Sequence, residues 1–374
     1  MNPPCETNCF PILAISVQIY GGSPIKGIPG RSDLGYLVAW IQAHRSRICG
    51  QPLAGIRSSA LEMRMTPLVS VAITTFNLER WLPRALDSVF TQITDFPFEI
   101  VISDDASTDG TLQVARAYQE GYPDVIRVLE RSKNAGMCRN YYDAFEQCRG
   151  KFIGWLDADD YWTDPRKLAI QVETLESDAS ISACCHLVRW VSSDGEVKRE
   201  IYPSIAPGRY GLAEILHHNF VPSPSVMFRS GLHRQLPPWY FDIGPTTDWP
   251  LWVLAALSGD IVLLDRVMAD YMLTPKSNFM SKGAQFWHVQ DARFYDHIES
   301  IVPSKWHRLV RAEKGRRHES MAYLLRQQGD FNGSREAALK AFLSPSLMDN
   351  GRSKTKALLA SVFYSRRKYA LHQR

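Results

Sequence analysis

From Leu68 onward the apolar and polar positions alternate between two periods. "LVSVAIT" is a β-rich apolar run, and residues 78–92 then carry Leu78, Trp81, Leu82, Ala85 and Val89 at helical spacing. "FEIVIS" predicts a second strand. "DGTLQVARAYQ" predicts a helix opened by Ser107 or Thr108 with an early acid. The pattern continues with the strand "VIRVLE", a helix over 136–148, the strand "KFIGWL", a helix over 165–177 and the strand "ISACCHLVRWV". Strict alternation of this kind predicts βαβ units, an α/β fold whose mostly parallel sheet is covered by helices on both faces.

Beyond about residue 195 the alternation loosens. The pattern predicts a helix over 209–218, a strand at "SVMF" (225–228), a helix in "DWPLWVLAALSG" and two short strands, "IVLLD" and "VMADYML". Residues 286–345 read as helical and polar. Within them "MAYLLRQQGDFNGSREAALKAFLSPS" resembles a single helix–turn–helix of the tetratricopeptide kind. One such unit cannot bury its own apolar face, so it is expected to pack on the main domain. Residues 352–374 carry seven Lys or Arg and no acid around the apolar stretch Ala357–Tyr364. A segment of that type can lie on an anionic membrane surface. Residues 1–65 hold scattered Gly and Pro with little periodicity. They are expected to be a disordered or extra N-terminal extension, with Met63 or Met65 as an alternative start. The predicted organisation is an extension over 1–65, a main α/β domain over 66–285, a helical extension over 286–345 and a basic tail over 346–374.

Composition narrows the function classes. The 374 residues are 45% hydrophobic and 22% charged, ordinary values for a folded chain. The net charge of +4 does not point to a nucleic-acid partner. Seven cysteines without a C-x-x-C pair fit neither a disulfide framework nor a zinc site. No apolar run reaches the roughly 18–20 residues of a membrane span, and the start lacks a secretory signal. The expected location is cytoplasmic; the basic tail reads either as a peripheral contact at the inner face of the membrane or as a solvated helix end or disordered tail.

The chemistry concentrates in "KFIGWLDADDYWTDP", where an apolar strand runs into Asp157, Asp159 and Asp160. Like charges this close repel unless a cation offsets them. In open α/β sheets ligands bind beyond the carboxyl ends of strands. One reading is a divalent cation at the strand tip. The other is an acidic turn that caps the next helix, since Thr163 and Asp164 before Pro165 look like a helix start.

No G-x-G-x-x-G, P-loop or G-x-S-x-G motif is present, so phosphates are not cradled by a glycine-rich loop. Polar groups instead stand at successive strand ends. Strand one ends in Thr74, Thr75, Phe76 and Asn77, strand two in Asp104 and Asp105, and strand three is followed by Asn134, Gly136, Arg139 and Asn140. Taken singly these end strands, brace turns or sit on a helix surface. Taken together they suit a nucleotide: an aromatic ring for the base, a carboxylate for base or ribose, a guanidinium for phosphate.

"VSVAITTFN", "VISDDASTDGT", "NAGMCRN" and "GWLDADDYW" resemble the successive motifs of family 2 glycosyltransferases, over about residues 67–275. The resemblance implies the GT-A fold, a mostly parallel Rossmann-like sheet flanked by helices, here with a helical C-terminal extension. It implies a D-x-D motif in which Asp157 and Asp159, with Asp160 as a third candidate, bind Mn2+ or Mg2+ against the donor diphosphate. Thr74, Phe76, Asn77, Asp104, Asp105, Arg139 and Asp157 fall where the family holds the donor nucleotide. In "GPTTDWPLW", Asp248 falls where the family has its general base, preceded by Thr247 rather than the commoner Glu. A helix N-cap is the competing reading of Asp248. "YMLTPKSN" departs from the family's frequent Tyr-Arg-x-His pattern, and "HNFVPSPSVMFR", with His217, His218 and Ser223, resembles its acceptor side.

The implied activity is metal-assisted, inverting single displacement from a nucleoside-diphosphate sugar, a UDP-sugar in the first instance, to a hydroxyl of a glycan or lipid-linked acceptor. Such a hexosyltransferase would serve polysaccharide or glycan biosynthesis. The alternative is a catalytically inactive module that binds sugar nucleotides. A nucleotidyltransferase would open with a glycine-rich basic loop after strand one, which "TTFNLERW" is not.

Overall fold

The computed structural model describes residues 66–244, 248–274 and 284–344. The extension expected over 1–65, Thr247 and the basic tail expected over 346–374 lie outside the described residues.

The expected alternation is present. In chain order it runs β1 (Val69–Thr75), α1 (Leu82–Phe90), β2 (Phe98–Asp104), α2 (Thr111–Gly121), β3 (Ile126–Glu130), α3 (Met137–Glu146), β4 (Phe152–Asp157), β5 (Tyr161–Trp162), α4 (Lys167–Ser177) and β6 (Ile181–Ser192). Then follow β7 (Val197–Tyr202), β8 (Gly208–Tyr210), α5 (Leu212–His217), β9 (Met227–Arg229), α6 (Trp249–Ser258) and β10 (Asp260–Leu273). Three helices close the described chain: α7 (Ala284–Ile298), α8 (His307–Gln327) and α9 (Phe331–Leu343).

These strands form one sheet in the order β3-β2-β1-β4-β9-β6-β10-β5, with β7 beside β6 and β8 beside β10. The long registers are parallel: β1 with β2 and β4, β2 with β3, and β6 with β10. The sequence pattern missed three features. β9 enters antiparallel between β4 and β6. Short β5 and β8 pair antiparallel with β10. "IVLLD" and "VMADYML" are one strand, β10, whose register against β6 shifts around Leu264–Val267. A bulge of that kind bends a strand without ending it, which is why it read as two.

Alternating strand residues feed two cores. Val69, Val71 and Ile73 face Leu82 and Leu86 of α1 and Leu168 of α4. Ala72, Ile153 and Trp155 face Tyr141 and Phe145 of α3 and Trp252 of α6. The turn before β4 must approach β1 closely. A Cβ on Gly150 would lie 2.6 Å from the Ser70 backbone nitrogen, so no side chain fits there. The four described cysteines, Cys138, Cys148, Cys184 and Cys185, are buried thiols. No helix among the described residues is long and apolar enough to cross a membrane.

The expected helix–turn–helix over 321–346 buries its apolar face within itself and against Val289 of α7, and it is α7 and the first half of α8 that pack on the sheet-bearing part. Phe294 of α7 stacks on Trp249 at 4.3 Å, and the Tyr295 hydroxyl donates to the Leu216 carbonyl. Arg317 of α8 donates to the His217 carbonyl at 3.0 Å.

Lys167, at the start of α4, is fully buried. Its Nζ donates to Gln171 Oε1 at 2.6 Å and lies 4.1 Å from the Trp162 ring centroid. Burial holds its pKa down at about 7. Between that value and the ordinary lysine range near 10.4 the unfolded chain binds a proton that the folded chain does not, so stability rises with pH across this window. Thermal melts of the unaltered protein and of Lys167→Met from about pH 7 to about pH 9 should show the first gaining on the second. A constant offset between them would refute this.

Candidate active site

The carboxyl ends of β1, β2 and β4 open onto one cavity of about 900 Å³. β1 contributes Thr74 and Thr75, followed by Phe76 and Asn77; Asp105 follows β2; Asp157 ends β4 and Asp159 lies in the turn after it. His218, Asn219, Ser223, Asp248, Asp291 and Arg317 line the same cavity.

Asp157 is the best-anchored carboxylate on the cavity floor. Its Oδ1 accepts from the Thr74 hydroxyl at 2.9 Å, the Tyr141 hydroxyl at 3.0 Å and the Trp155 indole at 3.3 Å. Its Oδ2 accepts from the Ser223 hydroxyl at 2.8 Å. Tyr141 stays protonated for this, since burial and then Asp157 push its pKa well above the usual range. Asp159 has different surroundings. Burial, then the charge of Asp157, raises its pKa to about 7.

Asp160 does not line the cavity. It is 2% exposed, and its Oδ1 accepts the Met272 backbone N–H at 2.7 Å. This ties the β4–β5 turn to β10. Burial, reinforced by Asp159 and Asp157, raises its pKa. Asp160→Asn keeps the carbonyl acceptor and is expected to leave transfer and stability nearly unchanged, whereas Asp160→Ala leaves a buried N–H unpaired at a cost of about 1–3 kcal/mol. Melting curves and turnover of the two variants check this. A loss of transfer in folded Asp160→Asn would return Asp160 to the chemistry. The next helix does not use these acids as caps: α4 begins after Asp164, whose Oδ1 accepts from Arg166 N at 2.8 Å.

The nucleotide-side candidates divide. Thr74, Phe76, Asn77 and Asp105 line the cavity. Phe76 leaves 45% of its surface exposed. Asn77 has φ 56°, and its Oδ1 accepts the Thr108 backbone N–H at 2.7 Å. Ala106 has φ 59°, a left-handed conformation unusual for a residue with a Cβ. The Asp105 carboxylate accepts from Ala135 N at 2.8 Å and Gly136 N at 2.9 Å, which fixes the turn into α3. Asp104 and Arg139 do not line the cavity. Asp104 accepts from Ser107 N at 2.9 Å and braces its own turn. Arg139 is 51% exposed, paired with Asp143 at 3.0 Å and placed 5.4 Å from the Phe241 ring.

Asp248 stands at the N-cap position of α6, yet its side chain makes no capping hydrogen bond. It faces the cavity instead, and its Oδ2 accepts from Asn219 Nδ2 at 3.0 Å. Burial raises its pKa. Of the acceptor-side candidates, His218 and Ser223 line the cavity. His217 turns away to Glu313 at 3.1 Å.

Several lining residues carried no sequence signal: Tyr141, Asn219, Tyr271, Asp291 and Arg317. Asn219 lies within "HNFVPSPSVMFR", and the Asp248 partner could have been sought there. Among the described residues no three His, Cys, Asp or Glu side chains converge as a ready-made metal cluster.

Residues 70–236 match the family described as Glycosyl transferase family 2. An uncharacterized protein of Mycobacterium tuberculosis is 32% identical over 291 residues, covering 76% of this chain and 81% of that protein. An uncharacterized glycosyltransferase of Nostoc sp. is 29% identical over 244 residues, covering 62% of this chain and 72% of its own. Among solved structures, S. aureus TarS 1–349 in complex with UDP-GlcNAc superposes with a TM-score of 0.55 at 20% identity, covering 80% of this chain and 92% of that one. The Pyrobaculum calidifontis mannosyltransferase PcManGT, in complex with GDP-Man and Mn2+, gives 0.50 at 19% identity, covering 91% and 90%. With this sheet, these strand-end residues and these relatives, the chain belongs to glycosyltransferase family 2 and has the GT-A fold.

Proposed function

We propose that the protein transfers a hexose from a nucleoside-diphosphate donor, a UDP-sugar in the first instance, to an acceptor hydroxyl with inversion at the anomeric carbon. The observation that carries this is that two half-buried carboxylates with raised pKa values, Asp159 and Asp248, line one cavity from different elements. Perturbed acids in a cleft mark functional sites, and in this reading Asp159 serves the donor and Asp248 the acceptor.

On the donor side the exposed Phe76 ring is free to stack on a base, and Thr74, Asn77 and Asp105 border the same space. The complexes of TarS with UDP and UDP-GlcNAc and of PcManGT with GDP-Man support the donor class. A hard divalent ion fits the donor set. Asp159 is a desolvated carboxylate with Asp157 as its charged neighbour, and Mg2+ or Mn2+ is commonly held by one or two carboxylates plus substrate phosphates. Asp159 would hold the ion, with Asp157 beside it. Bound there, the ion neutralises charge on the departing diphosphate.

On the acceptor side Asp248 takes the proton of the attacking hydroxyl. Its raised pKa makes it a stronger base than an exposed aspartate, and Asn219 fixes the orientation of its carboxylate. Asp157 keeps the floor in place by joining β1, α3, β4 and the 223–225 turn. Polysaccharide or glycan synthesis is the setting we infer for this activity.

A screen of nucleotide sugars with Mn2+, reading release of nucleoside diphosphate, tests the reading. Turnover of a UDP-hexose is the expected result. UDP binding without turnover of any donor, with or without acceptor, would favour a sugar-nucleotide-binding module.

A further inference from the structure

The cavity wall beside Asp248 is not built by the family-matched segment alone. Asp291 comes from α7 and Arg317 from α8, and both lie beyond residues 70–236. Each side chain is 21% exposed, and both line the cavity. Arg317 Nε stands 3.7 Å from Asp291 Oδ2, an ion pair too long to be a hydrogen bond. The guanidinium is anchored by a hydrogen bond to the His217 carbonyl at 3.0 Å and sits 5.9 Å from the Trp249 ring, which also lines the cavity. The Asp291 carboxylate has no described hydrogen-bond donor, so its lone pairs remain to be satisfied from the cavity. Burial, opposed by Arg317 and reinforced by Asp248, raises its pKa to about 6.

We propose that Asp291 and Arg317 form an acceptor-specificity subsite that takes a neutral, hydroxyl-rich sugar. This rests on the transferase reading above, with Asp248 as the base. A carboxylate accepts from sugar hydroxyls, and a fixed guanidinium donates to them. An anionic sugar is disfavoured there. Asp248 and Asp291 set two carboxylates against one guanidinium that is already paired, and a further anion would meet like charge at low dielectric. In this arrangement the helical extension selects the acceptor, while the family-matched segment handles the donor.

The test is saturation-transfer NMR on the full chain with UDP and Mg2+, using methyl glucoside, galactoside and mannoside against methyl glucuronide. At least one neutral glycoside is expected to bind and the glucuronide is not. Asp291→Ala is expected to weaken glycoside binding about tenfold or more, the loss for a hydrogen bond to a charged group. Its UDP affinity should stay within about twofold of the unaltered protein. Glucuronide binding as well as the hexosides, no glycoside binding while UDP binds, or an unchanged glycoside affinity in the variant would each overturn the subsite. If Asp291→Ala does not fold, the comparison of neutral and anionic sugars on the unaltered protein still decides. Failure of UDP itself to bind would overturn the donor reading as well, and so is distinguishable from failure of the subsite alone.

Discussion

Asp248→Asn is expected to lower kcat by about 10²–10⁴-fold, the usual contribution of a positioned general base, with donor affinity little changed. The substitution preserves shape and leaves an oxygen for Asn219, whose amide now donates to the carboxylate at 3.0 Å. What it removes is the basic group. The unaltered enzyme should also show an acid limb in kcat, because the base must be ionised and its pKa is raised by burial. Activity falls as pH drops through that raised value, and the variant should lack the limb. Stability has the opposite sign. A carboxyl whose folded pKa is raised costs stability as pH rises through that pKa, so the variant should melt no lower than the parent at neutral pH. A variant that melts early but turns over normally when folded would make Asp248 a structural residue.

Asp159→Asn is expected to abolish metal-stimulated transfer, a loss of several kcal/mol of charge stabilisation or about 10²-fold or more in rate. Folding should not suffer. Burial and Asp157 raise the Asp159 pKa to about 7, so without a cation the folded protein loses stability as pH climbs from the ordinary carboxylate range toward that value. Removing the charge relieves this cost. Two melts separate the effects. With UDP and Mn2+ the unaltered protein should gain stability by linkage. The variant should show a smaller gain while matching or exceeding the parent when EDTA is present. Near-normal transfer by Asp159→Asn with EDTA would rule out the cation at this site.

The parallel half of the fold was legible because its strands are short apolar runs and its helices carry period-3.6 stripes. The site was legible where a residue's type and its strand-end position agreed, as for Thr74, Phe76, Asp157 and Asp159. It failed where a side chain could turn two ways. Asp104 and Asp105 are adjacent, and only the second reaches the cavity. Asp159 and Asp160 are adjacent as well, and the second is drawn inward by the Met272 N–H. Neighbours at a strand end leave on opposite faces or enter a turn, and sequence spacing does not say which. Arg139 was expected near the nucleotide, but the next helical turn offers Asp143 and pairs with it locally. Asp291 and Arg317 were invisible for another reason. They meet across 26 residues and two helices, and no motif links them. The single strand β10 was misread as two because its bulge carries Asp265 and Arg266, which look like a turn.

The placement of β9 has a consequence for synthesis on the ribosome. β6 runs twelve residues, most of them buried. Its two long-term neighbours in the middle of the sheet, β9 and β10, are encoded downstream, at Met227–Arg229 and Asp260–Leu273. β1 to β4 can pair as they emerge, but a nascent chain that has just released β6 carries an apolar strand with only the β7 hairpin beside it. At roughly 5–20 residues per second that interval lasts seconds. Pausing between residues 192 and 227 should therefore raise aggregation or chaperone capture, and pausing after residue 273 should not. The three-residue strand that joins the two halves of the sheet is thus a checkpoint in time as well as a seam in space.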